Sequence, residues 1–276
     1  MTTKVTRNML NTSIDDNGNS TALTISSDEN LGIGTTTVTN NGLGTATYFG
    51  NSTSAITGDN TSGNSRFWLT NNWKYDSGDK YIITDEATLY TQQNGKHIFS
   101  FAPSGSANSA ITFSTGLEID NAGHVTKPLQ SGFNAEFSSN SDVDLTTTGY
   151  TNIPFNAERW DTNGDYNTST YTFTAPVTGK YLFNFSMGFN SMDNASAWFA
   201  ISFQTSNHSY HHWIPPNDLF TGGDLNGNFT MKTSAVADMD ANDTCYARVY
   251  LYNGTPSQFT YLGDNRISFF TGYLLG

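Results

Sequence analysis

Along most of this 276-residue chain the large apolar side chains recur at every second position or sit in short runs. They almost never fall at the three-to-four spacing that gives a helix an apolar stripe. The clearest case is Tyr181, Phe183, Phe185 and Met187, which alternate with Leu182, Asn184 and Ser186. Successive side chains of an extended chain point to opposite faces, so this segment can bury one face only as a strand. Apolar runs follow at Trp198–Phe203, Tyr246–Tyr252, Phe259–Leu262 and Ile267–Leu275. Turn residues separate them at 161–165, 176–179, 215–218, 222–227 and 253–256. Many short strands at that spacing make an all-β sandwich or jelly roll. The best helical candidate is a short stretch, Val5–Leu10.

The partner classes are narrowed by charge. Lys+Arg number 12 against 24 Asp+Glu, a net charge of −12, and the cations Lys4, Arg7, Lys74, Lys80 and Lys96 form no stripe. Such a surface repels phosphate backbones, so no nucleic acid partner is expected. Cys245 is the only cysteine, so no intrachain disulfide can form. The opening residues lack the apolar core of a secretory signal, and no apolar run approaches the roughly 18 residues needed to cross a bilayer. The expectation is a chain made in a cytosol, without membrane insertion, that leaves by a route such as lysis.

Two regions differ in texture. Residues 1–130 are rich in Gly, Thr and Asn, with short strand candidates at Ala22–Ile25, Ala46–Phe49, Arg66–Leu69, Tyr81–Thr84, His97–Phe101 and Ile111–Phe113. Two segments echo each other: Leu23–Leu31 and Leu117–Val125 each read as a strand, a tight Asp/Asn/Gly turn and a second strand. Apolar residues are sparse here, yet aromatics such as Tyr48, Phe67, Trp68 and Phe99 are too many for a linker. Burying them fully calls for partner chains, so an extended β region intertwined in an oligomer is expected. Pro128 and Gly132 mark the boundary to residues 131–276, where aromatic density rises.

The second region resembles the C1q domain of the C1q/tumour-necrosis-factor superfamily. The resemblance is carried by Ile153-Pro-Phe155-Asn156, by Phe-x-x-Pro-x-x-Gly-x-Tyr-x-Phe at 173–183, and by the closing Ser268-Phe-Phe270-Thr-Gly272-Tyr-Leu274. Asp243–Val249 stands where the family begins another strand, with Asn242 in place of its Gly. The resemblance implies a ten-stranded jelly roll that assembles as a homotrimer and binds through exposed loops, with no active site. The first region is similar to bacteriophage tail fibres and related appendages, through Thr3–Leu10, Leu31-Gly-Ile33-Gly-Thr35 and Leu117–Val125.

Few residue groups suggest chemistry. His208-Ser-Tyr210-His211-His212-Trp213 is the one histidine cluster, and it has no Cys or acidic neighbour of the kind a zinc site uses. It reads better as an exposed contact loop, because Tyr210, His211 and Trp213 offer flat amphipathic surfaces. Asp161/Asn163/Asp165 and Asp238/Asp240/Asn242 alternate oxygen groups, but neither run has the Gly and Glu that an EF-hand loop requires. Glu158 and Asp161 are close acids within a turn, and no nucleophile elbow or phosphate loop occurs.

The expected protein is therefore a non-enzymatic virion component with no cofactor and no metal or catalytic residues. It is a homotrimeric tail fibre or fibre tip, made in the host cytoplasm. Other virion proteins would dock at Thr3–Leu10, and a host surface glycan or protein would bind the loop Asn207–Asp218, with Tyr210, His211, His212, Trp213, Asn217 and Asp218 as contacts. Gly222–Asn228 is the second candidate loop. Alternatives are a capsid decoration or head fibre, and, less well supported, a glycan depolymerase.

Overall fold

A computed structural model describes residues 13–15, 21–27, 29–35, 38, 44–50, 53–59 and 66–276. The helical candidate Val5–Leu10 and the docking segment Thr3–Leu10 lie outside these residues. The chain divides into two units, Met1–Pro128 and Leu129–Gly276. Among the described residues, no helix is long and apolar enough to cross a membrane.

Unit 1 contains β1 (Ser13–Asp15), β2 (Thr21–Ile25), β3 (Leu31–Ile33), β4 (Gly44–Phe49), β5 (Ser54–Asp59) and β6 (Arg66–Asn71). After these come β7 (Trp73–Tyr75), β8 (Asp79–Tyr81), β9 (Asp85–Gln93), β10 (Lys96–Gly105), β11 (Ser114–Ile119) and β12 (Val125–Thr126). Ten of them form one sheet in the order β1-β2-β3-β4-β5-β6-β9-β10-β11-β12, with β7 and β8 paired separately. Among the described residues, only the β3–β4 pairing is parallel. The expected strand Tyr81–Thr84 is corrected: Tyr81 ends β8, and the amides of Ile82 and Ile83 donate to the Asn72 side chain instead of a neighbouring strand. Ile111–Phe113 is not a strand either; Ile111 donates to the Asp79 carbonyl beside a lone Lys80–Ala110 bridge. Asn72, buried and at φ 56°, also donates to the carbonyls of Ile83, Asp85 and Glu86, so one side chain ties the β7–β8 excursion back to the sheet.

The register of this sheet places large and small side chains on opposite faces. Ile25, Leu31, Thr47, Ile56, Leu69, Tyr90, Phe99 and Leu117 face one another in a single row across eight strands. Ile25, Ile56, Leu69 and Phe99 in that row are exposed. The opposite face buries mostly small residues, among them Ala46, Ala55, Thr57 and Thr70, with Tyr48 and Trp68.

The two echoing segments fold alike. Ile25 pairs with Leu31 and Ile119 with Val125. In the first turn the amide of Ser26 donates to the Asn30 carbonyl and that of Glu29 to Ser26; in the second Asp120 donates to His124 and Gly123 to Asp120. The side chain of the first turn residue then accepts from the amide four positions on, at 3.1 Å for Ser26 and 2.9 Å for Asp120. The fourth residue of each turn has positive φ, 65° at Glu29 and 86° at Gly123.

Unit 2 contains β13 (Gly132–Glu136), β14 (Val143–Asp144), β15 (Gly149–Asn152), β16 (Ala157–Asp161), β17 (Tyr166–Asn167), β18 (Thr172–Thr174) and β19 (Gly179–Met192). These are followed by β20 (Trp198–Thr205), β21 (Ser209–Ile214), the one-turn helix α1 (Pro216–Leu219), β22 (Leu225–Met239), β23 (Thr244–Tyr252), β24 (Thr260–Tyr261) and β25 (Phe269–Leu274). A seven-stranded sheet runs β14-β24-β19-β25-β13-β16, with β22 along the other edge of β19. A six-stranded sheet runs β17-β18-β23-β20-β21, with β15 also on β23. This is the jelly roll that the resemblance implies. Its strand count exceeds ten by three because β14, β17 and β24 are two-residue pairings.

Between the two sheets lies an aromatic core. Phe133, from β13, lies 4.9 Å from Tyr166, 5.0 Å from Phe173 and 5.1 Å from Phe270 between ring centroids. The turn at 176–179 leads from β18 to β19 and so crosses from one sheet to the other. Phe173 on one side therefore meets Tyr181 at 5.5 Å and Phe183 at 5.6 Å on the other, which is why the 173–183 pattern needs aromatics at both ends. Gly272 is required for space: a Cβ there would come within 2.5 Å of Phe133 and 2.7 Å of Phe183.

Candidate functional site

The expected contact loop Asn207–Asp218 is mostly a strand. β21 pairs with β20 from Ser209–Gln204 to Ile214–Phe199, so its side chains alternate between two faces. Tyr210 lies on the core-facing side of the strand, partly buried, and stacks on Phe203 at 5.0 Å, so it does not share the outward face of its neighbours. His212 shares that parity and is exposed at the sheet margin, where its Nδ1 lies 2.7 Å from the Lys232 carbonyl. His211 and Trp213 face outward and stack at 5.2 Å. Asn217 and Asp218 lie exposed in α1, away from these rings in the chain order. The second candidate, Gly222–Asn228, is also partly strand, because β22 begins at Leu225.

His211 and Trp213 instead belong to the outward face of the six-stranded sheet. The registers set Tyr150, Tyr250, Ala200 and Trp213 in one row across β15, β23, β20 and β21. Tyr252 and Trp198 form the row on one side; Asn152, Arg248, Ser202 and His211 form the row on the other. Trp198, Trp213, Tyr250 and Tyr252 border an open groove, and Ala200, between Tyr250 and Trp213 in the register, is fully buried. Trp213 meets Tyr250 edge-on at 5.3 Å, and Tyr250 lies 4.6 Å from Tyr150. Trp198 is 50% exposed, Tyr252 48% and Trp213 41%, so flat apolar rings stand in solvent on a backbone held by ladders on both edges of β23.

The electrostatics of this face are simple. Arg248 is the only residue of formal charge in the six strands, and none of them contains Asp or Glu. Its guanidinium carbon lies 3.8 Å from the Tyr150 ring centroid, while Nε donates to Ser202 and Nη2 to Ser209. Burial, Arg248 and His208 hold the His211 imidazole below its usual pKa, so it stays neutral near pH 7.

Elsewhere the polar groups singled out in the sequence are committed to the fold. The Asp161 carboxylate accepts the amides of Asn163, Gly164, Asp165 and Tyr166, and Asp165 accepts the Ser131 hydroxyl. Asp238 pairs with Lys180 at 3.1 Å, and the Asp240 carboxylate accepts from the Thr178 hydroxyl. Burial and the adjacent Asp161 raise the Glu158 carboxyl above its usual range. Among the described residues no three His, Cys, Asp or Glu side chains converge as a metal site. Cys245 is buried in the core, and burial pushes its thiol pKa up.

The sequence reading missed Tyr150, Trp198, Arg248, Tyr250 and Tyr252 as a surface. A signal was present in β23: Cys245, Ala247, Val249 and Leu251 alternate inward, which leaves Tyr246, Arg248, Tyr250 and Tyr252 on the opposite face. A strand with an apolar core face and an aromatic outer face has more ring area than its own fold needs.

Similar solved structures include the globular domain of zebrafish complement 1qA protein, at 16% identity over 53% of this chain and 98% of that one, with a TM-score of 0.40. Eiger TNF from S. frugiperda is similar at 9% identity over 53% and 94% of the two chains, TM-score 0.40. Murine APRIL is similar at 8% identity over 53% and 99%, TM-score 0.37. Comparison with curated proteins gives no match. The C1q domain profile matches residues 133–275, which spans the sheets, the 173–183 corner and the closing strand described above, and the chain belongs to the C1q domain family.

Proposed function

We propose that this chain is a trimeric fibre component of a bacteriophage virion, with a C1q-domain end that contacts the host cell surface. The apolar row across the unit 1 sheet carries the reading. Ile25, Ile56, Leu69 and Phe99 lie exposed on a ladder of eight strands, and contiguous apolar surface of that kind marks an interface. Further copies of the chain would cover it. In unit 2 the outer face of the seven-stranded sheet carries a second row, Tyr273, Leu182 and Val236, with Trp160 beside it. C1q-type relatives are homotrimers, and their domains are structural or binding modules rather than enzymes. The phage part rests on the opening segment, the Gly-Ile-Gly-Thr run and the paired hairpins. Three binding ends on one particle component would let weak contacts to a repetitive surface add through effective concentration.

Sedimentation tests the assembly. The full chain is expected at the mass of three 30.1 kDa subunits, and Leu69→Asp combined with Val236→Asp at the mass of one, with the near-ultraviolet spectrum of the unit 2 core retained. A compact monomer of the unaltered chain sinks the trimer. Antibody labelling of particles then places the protein: tail labelling supports the fibre, head labelling turns the reading to a capsid decoration, and unlabelled particles overturn the virion assignment.

A further inference from the structure

The fibre reading assigns host contact to the C1q domain without naming the face that makes it. We propose that the outward face of the six-stranded sheet is a platform for an anionic polysaccharide. Pyranose rings would lie on Trp198, Trp213, Tyr250 and Tyr252, and a ligand carboxylate would be taken by Arg248. This inference rests on the host-contact reading and names its ligand class.

The rings match a sugar in two ways. Their faces are apolar and flat, as is the C–H face of a pyranose. Their edges carry donors, and among the described residues the hydroxyls of Tyr150, Tyr250 and Tyr252 and the indole N–H groups of Trp198 and Trp213 make no hydrogen bond within the protein. A polyol offers hydroxyls around its rim to meet these donors. An apolar protein patch would bury them unpaired, which is costly. Over the small Ala200 the rings of Tyr250 and Trp213 meet, so the groove is bounded by rings rather than by flexible chains. Strand pairing fixes the ring positions in advance, so little ordering remains to be done on binding.

Charge selects among glycans. The chain carries −12 in total, yet these six strands contain no carboxylate and one arginine. The face is thus complementary to an anion within a molecule that otherwise repels anions. Arg248 already uses Nε and Nη2 on Ser202 and Ser209, which anchors the guanidinium and leaves Nη1 to meet a carboxylate. A second copy laid face to face brings another Arg248 and no carboxylate.

Affinity electrophoresis of the full chain in gels containing alginate, polygalacturonate or neutral dextran tests this. Retardation is expected at lower polymer concentration with at least one polyuronate than with dextran. Trp198→Ala and Trp213→Ala, on an exposed face, are expected to keep the parent melting temperature and weaken retardation by about tenfold or more. Arg248→Gln is expected to abolish the preference for polyuronate over dextran, while Arg248→Lys retains part of it. No retardation by either polyuronate, or equal retardation of parent and Trp variants, overturns the platform. Loss of cell adhesion in the Trp variants that follows protease treatment of the cells, without any glycan retardation, assigns the face to a protein and also overturns it. The fibre reading fails separately. A retarded monomer absent from particles keeps the platform and sinks the fibre, and an unretarded trimer on particles does the reverse.

Discussion

The two units differ in how many large side chains they bury completely. Among the described residues, the largest fully buried side chains are Tyr48 in unit 1 and eleven aromatics in unit 2, including Phe133, Phe183 and Phe270. Unit 1 turns alanines and threonines inward and leaves Ile56, Leu69 and Phe99 outside. Both follow the period of two, but only in unit 2 does the apolar face coincide with the buried face. Unit 2 thus holds its own core. Unit 1 buries two small clusters, Trp73, Tyr81, Ala87, Ala102 and Ile111 in one and Ala46, Tyr48 and Ala55 in the other, beside its ladder and polar anchors such as Asn72, and it leaves a row of large apolar side chains exposed.

The largest test of this contrast is Phe183→Ala. Phe183 touches Phe173, Phe203 and Phe270, so its removal should lower the stability of unit 2 by about 3–5 kcal/mol, seen by calorimetry as an earlier unit 2 transition. A shift of the unit 1 transition by the same amount would break the division into a self-sufficient and a dependent unit.

A smaller effect is alkaline. Burial pushes the Tyr48 hydroxyl up to about 12, and burial also raises Tyr166, Tyr181 and Tyr261 in unit 2. A buried tyrosine keeps its proton where the unfolded chain has lost it. Stability therefore falls as pH rises above about 10, by at most about 1.4 kcal/mol per pH unit for each group. Denaturant midpoints between pH 9 and 12 should fall for both units and more steeply for unit 2. An equal or steeper fall in unit 1 would contradict the assignment of the larger aromatic core.

The smallest effect sharpens the comparison within unit 1. The two hairpin turns share one hydrogen-bond pattern but place different residues at positive φ. Glu29→Gly should stabilise unit 1 by up to about 1 kcal/mol and Gly123→Ala should cost about as much. Thermal midpoints that move in the same direction would show that the two turns are not equivalent.

How much could be read from residues alone follows the same contrast. In β19 every second residue from Tyr181 to Phe189 is large and apolar, and the strand, its buried face and the aromatic corner at 173–183 were all legible. The hairpins were legible too, because Asp, Asn and Gly occur at matching turn positions. The ten-stranded order of unit 1 was not: its apolar residues sit on the exposed face, and strands such as β5 and β9 carry Thr, Ser and Gln in place of a clear stripe. The candidate site was half legible. His211 and Trp213 belong both to the expected loop and to the outward face of the sheet, but Tyr210 was placed beside them because a polar-aromatic run before two prolines resembles a loop. Only the pairing of β21 with β20 shows that neighbouring residues there face opposite sides. The remaining rings come from β15, β20 and β23, separated by up to about a hundred positions, and no local pattern joins them.

β13 has a mechanical consequence. Chain continuity makes it the place where tension carried along the preceding residues reaches unit 2. It is hydrogen-bonded on both edges, to β25 and to β16, in antiparallel ladders. Just ahead of it, Gln130 donates to the Leu274 carbonyl and Ser131 accepts the Leu274 amide. A pull directed along the strand loads the bonds of both ladders side by side, in shear, instead of opening them one after another from an end. The Phe133 ring, wedged among Tyr166, Phe173 and Phe270, resists the same displacement. Slippage of this strand requires the core itself to open, so the rate at which it yields to such a pull is set by the unfolding of unit 2.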